Sequence, residues 1–598
     1  MRLSARTRNQ RRECLWLPRS EVCTSQWHFM MRAWKGWFVV AVGAACALGC
    51  SSKKGAEKGE EGGAPSVAGT GGKEAGGSVA VDAGAPAEGG NGAALDPCEG
   101  VTAQGDCVTP DRARACVVPT GNGTPMLVTT DCREFEHCDT SRGQARCVLN
   151  EDACVPGQSE CMDAKDLSTC DASGSWQRET CAGSCRQSAL GGFCVDQAAS
   201  GTFEGRLLYE AVGPYEDYSD WSDTSVALPA EGVLVMAGDG TDWVDAALVG
   251  EDGSFTVQVP ATATGDEQLA FFLIHPDPTG AFAQFGVFDP DVPSGVVSPE
   301  EIRGGQAWSW SAPLADLTKG QDIRIGENEG SGAIHIYNRL LHVQRIVSEF
   351  YGDSPGTIAA WMHLNTAWDC GACFAPWGAE VASMPFDSQL FVSATAEDRA
   401  YWSDAVTIHE AGHYTMWSYG VSPNEGGPHC LGQPTAPGQA WSEGWATGFS
   451  SILRDNPVYW DKQGGSMFWF SLRERAYDQV QWRRPRASAG LQQLIDENEV
   501  AAMLYGLSTD PDVGSDVVLA GLTTPSVTAP DFKRGYTRHV WDMRDCEPTG
   551  YHDTGESSPM FADYLDGLVC GGVPAAAVDR STSPRQYYPY PSESPICQ

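Results

Sequence analysis

Histidine is scarce in this chain, with 11 among 598 residues. Cations are scarce too: 40 Lys and Arg stand against 78 Asp and Glu, for a formal net charge of -38. That balance excludes a nucleic-acid partner, which would need clustered Lys and Arg to neutralise phosphates. The surplus of acid suits solubility outside the cell. The apolar run in MMRAWKGWFVVAVGAACALGC, residues 30–50, is too short to span a bilayer and leaves through small residues. With Arg32 and Lys35 ahead of it, the run reads as an export signal rather than a membrane span. The 30 residues before it lack a signal-like character, which places the start of translation at Met30 or Met31.

Ala47-Leu48-Gly49-Cys50 resembles the bacterial lipobox. The resemblance implies cleavage before Cys50, a lipid on its sulfur and a membrane anchor. Ser51 follows rather than aspartate, which in Gram-negative lipoproteins favours the outer membrane or cell surface. A plain secretory signal is the alternative. Residues 1–49 are then the signal region. Residues 50–96 are almost all Gly, Ala, Glu, Lys and Ser; they lack the apolar residues that a core needs and read as a flexible tether.

Residues 97–196 carry twelve cysteines, at 98, 107, 116, 132, 138 and 147 and again at 154, 161, 170, 181, 185 and 194. Both sets keep eight residues between the second and third cysteine and eight between the fifth and sixth. Two six-cysteine modules explain this repeat. The segment lacks the paired C-x-x-C knuckles of a zinc ribbon, so disulfides are expected, in one of fifteen connectivities per module. Residues 200–327 lack helical spacing and show short apolar or alternating runs broken by Gly, Asp and Pro. GEDGSFTVQVP reads as a hairpin with an Asp-Gly turn and Phe255 in the core. It resembles the transthyretin-like or carboxypeptidase-regulatory sandwich, which implies an all-β domain.

Residues 328–598 mix strands (GTIAAWM, SQLFVSA) with helices, an α+β pattern. The stretch TIHEAGHYTMW, 407–417, lies between capping residues Ser403 or Asp404 and a terminating Gly420. On a helix, Ala405, Ile408, Gly412 and Met416 form a buried stripe. His409 and His413 then stand one turn apart on one face, where both imidazoles can meet one ion. Glu410 sits a step around, placed to take a proton from an attacking water. Imidazole ligands make zinc the natural metal. A third ligand is missing from this helix, because Tyr419 occupies the position where a third histidine would define another class. Glu443, in AWSEGWATGF, is the candidate, with Pro437-Gly438 and Asn456-Pro457 bordering its helix.

HEAGH, GGPHC (426–430) and SEGWATGF (442–449) together resemble the gluzincin zinc peptidases, and most nearly their fungalysin-like branch. The resemblance implies a zincin-like catalytic domain, a peptide or protein substrate, His409, His413 and Glu443 as zinc ligands, and Glu410 as the base. It also implies an oxyanion donor further along, for which His539, oriented by Asp542, is favoured over Tyr536, Tyr551 and His552. Thr447 stands where those families place an acid behind a ligand histidine; Asp404 is a substitute. His429, in GGPHC, reads as a loop residue beside a disulfide. Cys370 and Cys373 lack a redox or zinc-knuckle setting and read as a structural disulfide. The acidic loop STDPDVGSD, 508–516, offers oxygens of the kind calcium takes. Two other functions fit the same residues: a tethered adhesive lipoprotein with a degenerate metal domain, and a zinc hydrolase of a non-peptide substrate.

Overall fold

A computed structural model describes residues 98–597 apart from short stretches, the longest being 118–125, 261–266, 278–282, 424–428, 482–490 and 583–587. Across the paired strands between 536 and 557 it describes the backbone. The leader, Cys50 and the tether lie outside the described residues. The described chain is multidomain and mostly β, with many disulfides and a helical region. Among the described residues no helix is long and apolar enough to cross a membrane.

The two cysteine modules share one connectivity. The first joins Cys98–Cys116, Cys107–Cys138 and Cys132–Cys147; the second joins Cys154–Cys170, Cys161–Cys185 and Cys181–Cys194. In each, the pairs run first to third, second to fifth and fourth to sixth. The modules are built of three- and two-stranded sheets, too small to hold a core without such cross-links.

Beyond them, two four-stranded sheets pack face to face. One contains the long strand Ala199–Pro214 with Trp221–Pro229, Ser254–Pro260 and Asp322–Ile325; the other contains Leu234–Gly238 with Trp243–Leu248, Gln268–Phe272 and Ser309–Pro313. Leu207, Tyr209, Phe255 and Val257 from the first meet Val235, Val244, Leu269 and Phe271 from the second. Phe255 is buried between Phe203 and Phe271. The Asp-Gly turn is present, with Gly253 at φ +83. It does not close a hairpin: the strands on either side of it belong to opposite sheets. Val244 and, past a bulge, Ala247 face the core from one layer while Phe255 and Val257 face it from the other, so burying both sets draws the strands apart into two layers.

The next sheet runs in the order Ile274–Pro276, Ala283–Pro290, Ile358–Trp361, Ser388–Phe391, Cys373–Ala375, with Gly305–Ala307 also paired to Ala283–Pro290. Strands from both sides of residue 327 therefore share it, and Phe285–Phe288 pair in parallel with Ile358–Trp361. One core continues from Leu207 and Val235 through Ile336 and Leu340 to Ile408, Trp441 and Leu504.

Four helices complete the frame. Helix α1, Ser331–Tyr351, buries Ile336, Leu340, Val343 and Val347 and ends at Gly352, φ +71. Helix α2 is Asp404–Tyr419, α3 is Pro437–Leu453 with proline at its first turn, and α4 is Glu497–Ser508, capped by Asp496. Cys370 and Cys373 are disulfide-bonded, as are Cys570 and Cys597; Cys430 and Cys546 lie outside the described residues. In the acidic loop, Asp510 and Asp512 grip Arg580, so a guanidinium engages the carboxylates expected to suit calcium.

Candidate metal centre

Helix α2 begins where expected. Ser403 is its cap, accepting from the Val406 N–H at 3.2 Å, and Gly420 follows its last residue. Asp404 in the first turn suits the positive end of the helix dipole. Asp404 does not reach His409. It lies 2.7 Å from His335 Nε2 and 3.6 Å from Arg339 Nε. Burial opposes its charge, and His335, Arg339 and Arg454 outweigh that and hold the carboxyl well below its usual range.

Helices α2 and α3 cross in close contact at Gly412. A Cβ there would meet Ala446 Cα at 2.8 Å and Phe449 Cδ1 at 3.2 Å. Trp445 Nε1 donates to the Gly412 carbonyl at 3.1 Å across the same crossing. This contact brings Glu443 over the histidines. Nε2 of His409, Nε2 of His413 and Oε2 of Glu443 form a triangle with every edge 3.2 Å. Three lone-pair atoms repel at this range unless a cation lies among them. Ligands of a tetrahedral zinc at bonds of about 2.0–2.1 Å stand roughly 3.3 Å apart, so the residues fit the ion. Among the described residues this is the one group of His, Cys, Asp or Glu side chains so arranged.

The outward nitrogens are held by hydroxyls. His409 Nδ1 lies 3.0 Å from Thr447 Oγ1, and His413 Nδ1 lies 3.3 Å from Ser442 Oγ. With Nε2 facing the centre, each Nδ1 carries the proton and donates. Thr447 thus takes the place of the missing acid, orienting the ring while adding less to its basicity. Burial raises the Glu443 carboxyl, but His413, His429 and His409 overcome it and keep the group ionised. Glu410 is buried, and desolvation lifts its carboxyl above the ordinary range; His409 and His413 pull it down, and the Glu443 charge pushes it up with the desolvation. A base of that kind beside an ion can accept a proton from water and release it again.

His429 joins the site, although its sequence setting suggested only a loop. Its Nδ1 lies 2.8 Å from Glu497 Oε2 and its Nε2 lies 3.8 Å from Glu443 Oε2. Glu497, at the start of α4, was not singled out by the sequence. His539 falls in strand Tyr536–Arg544, opposite Asp553, and its side chain lies outside the described residues, as do those of Tyr536, Asp542, Tyr551 and His552.

Residues 354–545 match the family model described as the Mycolysin C-terminal domain. The matched span contains the triangle and Glu410. It supports a relation to the zinc metallopeptidases. No curated protein matches the chain. The metallopeptidase relation rests on this third of the sequence, and the sandwich and cysteine modules lie outside the match.

The strand behind the metallopeptidase-like site supplies two residues that sequence reasoning passed over. Tyr459 sets its ring edge-to-face with His409, centroids 5.9 Å apart. Asp461 is buried, and desolvation pushes its carboxyl up to about 7, against hydrogen bonds from Lys462 N at 2.7 Å and Gln463 Nε2 at 2.9 Å. The folded chain holds this proton up to about pH 7, whereas an exposed carboxyl releases it near 3.8. Between those values stability falls as pH rises. Asp461→Asn never ionises. It is expected to exceed the parent by on the order of 1–3 kcal/mol at pH 8 and to differ little at pH 4. Urea midpoints at the two pH values check this; equal gains at both would refute it.

Proposed function

We propose that the chain is a zinc metallopeptidase that hydrolyses peptide bonds in protein substrates, exported and anchored to a membrane surface by a lipid on Cys50. The observation that carries the catalytic part is the triangle of His409, His413 and Glu443 with buried Glu410 beside it. Zinc held there supplies Lewis acidity to water and to the scissile carbonyl. The Glu410 carboxylate takes the proton from the attacking water and returns it to the departing amine nitrogen. His409 and His413 are held in the ligating tautomer by Thr447 and Ser442. Burial raises the proton affinity of the Glu410 carboxyl, which favours its taking a proton from water in this exchange.

The test compares wild type with Glu410→Gln on unfolded casein. Glu410→Gln is expected to lose about 10²–10⁴-fold in kcat while keeping its zinc. Equal cleavage by both proteins sinks the mechanism. The anchor rests on the Ala47-Leu48-Gly49-Cys50 match and the apolar run before it. Cys50→Ser is expected to move the protein from the membrane fraction to the soluble one; unchanged fractionation rejects the lipid.

A further inference from the structure

The sandwich meets α1 at a cavity of about 220 Å³. Strands Ala199–Pro214 and Trp221–Pro229 give it a wall of Tyr209, Leu228 and Pro229. Helix α1 gives it Arg339, His342 and Arg345. Pockets for drug-sized ligands run from about 300 to 1,000 Å³, so this one suits a smaller molecule.

The charges on its walls are not all engaged alike. Arg345 pairs with Glu231 across the seam, and the two cancel. His342 is half-buried, and desolvation lowers its affinity for a proton, so it is neutral at neutral pH. Arg339 Nε is buried and makes no hydrogen bond. Its carboxylate neighbour, Asp404 Oδ1, lies 3.6 Å away and is engaged by His335 Nε2 at 2.7 Å. A guanidinium is a planar fork matched to a carboxylate, and a buried donor without a partner marks a place for an acceptor. Glu251 lines the same space, 85% exposed, with Arg345 Nη1 no nearer than 3.8 Å. That carboxylate suits an ammonium and disfavours a plain anion.

We infer that this cavity binds a free amino acid with an apolar side chain, its carboxylate on Arg339, its ammonium on Glu251 and its side chain against Leu228 and Pro229. None of these residues belongs to the metal centre, and the assignment does not depend on hydrolysis there.

The test titrates the full-length, zinc-loaded protein calorimetrically with L-leucine, and saturable binding is expected. Arg339→Gln is expected to raise the leucine Kd by about tenfold or more, through loss of a charge-assisted contact. Glu251→Gln, at an exposed side chain, is expected to raise it by about two- to fivefold, the range of an exposed ion pair. Leucinamide lacks the carboxylate and N-acetyl-leucine lacks the ammonium; both are expected to bind more weakly than leucine. Glu251→Gln should narrow the gap between leucine and N-acetyl-leucine, and Arg339→Gln should not. If Arg339→Gln fails to fold, the two analogues and Glu251→Gln decide the matter. Absence of saturable leucine binding overturns the assignment. Leucine binding that survives both substitutions and disappears when zinc is removed overturns it too, by placing the ligand at the metal centre. N-acetyl-leucine or inorganic phosphate binding as tightly as leucine overturns the amino-acid assignment in favour of a general anion site.

Discussion

Glu443→Gln is expected to lose metal and turnover together. The carboxylate is the only charged member of the triangle, and its oxygen stands 3.2 Å from both imidazole nitrogens. A glutamine keeps the shape and removes the charge, leaving two neutral rings to hold a dication. Residues that merely support a ligand cost about 10–100-fold in metal affinity when replaced, so a direct ligand should cost more than that. Zinc content after dialysis is the measurement, with casein cleavage alongside. The contrast with Glu410→Gln is the informative part: one variant should be empty and inactive, the other loaded and inactive. A Glu443→Gln protein that keeps stoichiometric zinc would dismantle the site.

Gly412→Val is expected to do comparable damage without touching a ligand. Its side chain would enter space held by the Ala446 backbone at 2.8 Å and by Phe449. Backbone cannot yield as a flexible side chain can, so α2 and α3 must separate. Overpacking costs typically 1–3 kcal/mol, and this position belongs at or above the upper end because both helices are buried. The same separation would lift Glu443 away from His409 and His413. A fall in melting temperature is therefore expected with weakened zinc binding, and a chelator should separate the parent and variant melting curves less than the substitution does. Normal zinc affinity in a folded Gly412→Val would show that the crossing does not set the triangle.

The parts of this site that were legible in the sequence are those with short-range rules. His409 and His413 share a face because four residues make a turn. Ser403 and Gly420 mark the ends of α2, and Gly412 belongs to an apolar stripe. Glu443 was found by its own helix borders. Glu497 and His429 were not paired in advance, because nothing local brings the start of α4 to the loop holding GGPHC. Asp404 could be placed near His409 by counting, yet the count did not reveal that His335 of α1 would claim it. The turn at Asp252-Gly253 was legible as a turn. Whether the flanking strands pair or part depends on which faces must be buried, and that is decided by strands far away in sequence. The cysteine repeat was legible from spacing, while its connectivity needed the fold.

The sheet that crosses residue 327 bears on how such a chain is matured. Strands Ile274–Pro276, Ala283–Pro290 and Gly305–Ala307 lie upstream of that point and form one side of the sheet beside α1. Proteolytic trimming at the apparent boundary and release of everything before it would strip three strands, bare the Ile358–Trp361 edge and open the core at Phe285 and Phe288. The protein has no detachable half there. Nicking enzymes and cloning primers alike should respect a unit that starts no later than the sandwich, and any processing that leaves it intact belongs upstream, among the cysteine modules or the tether.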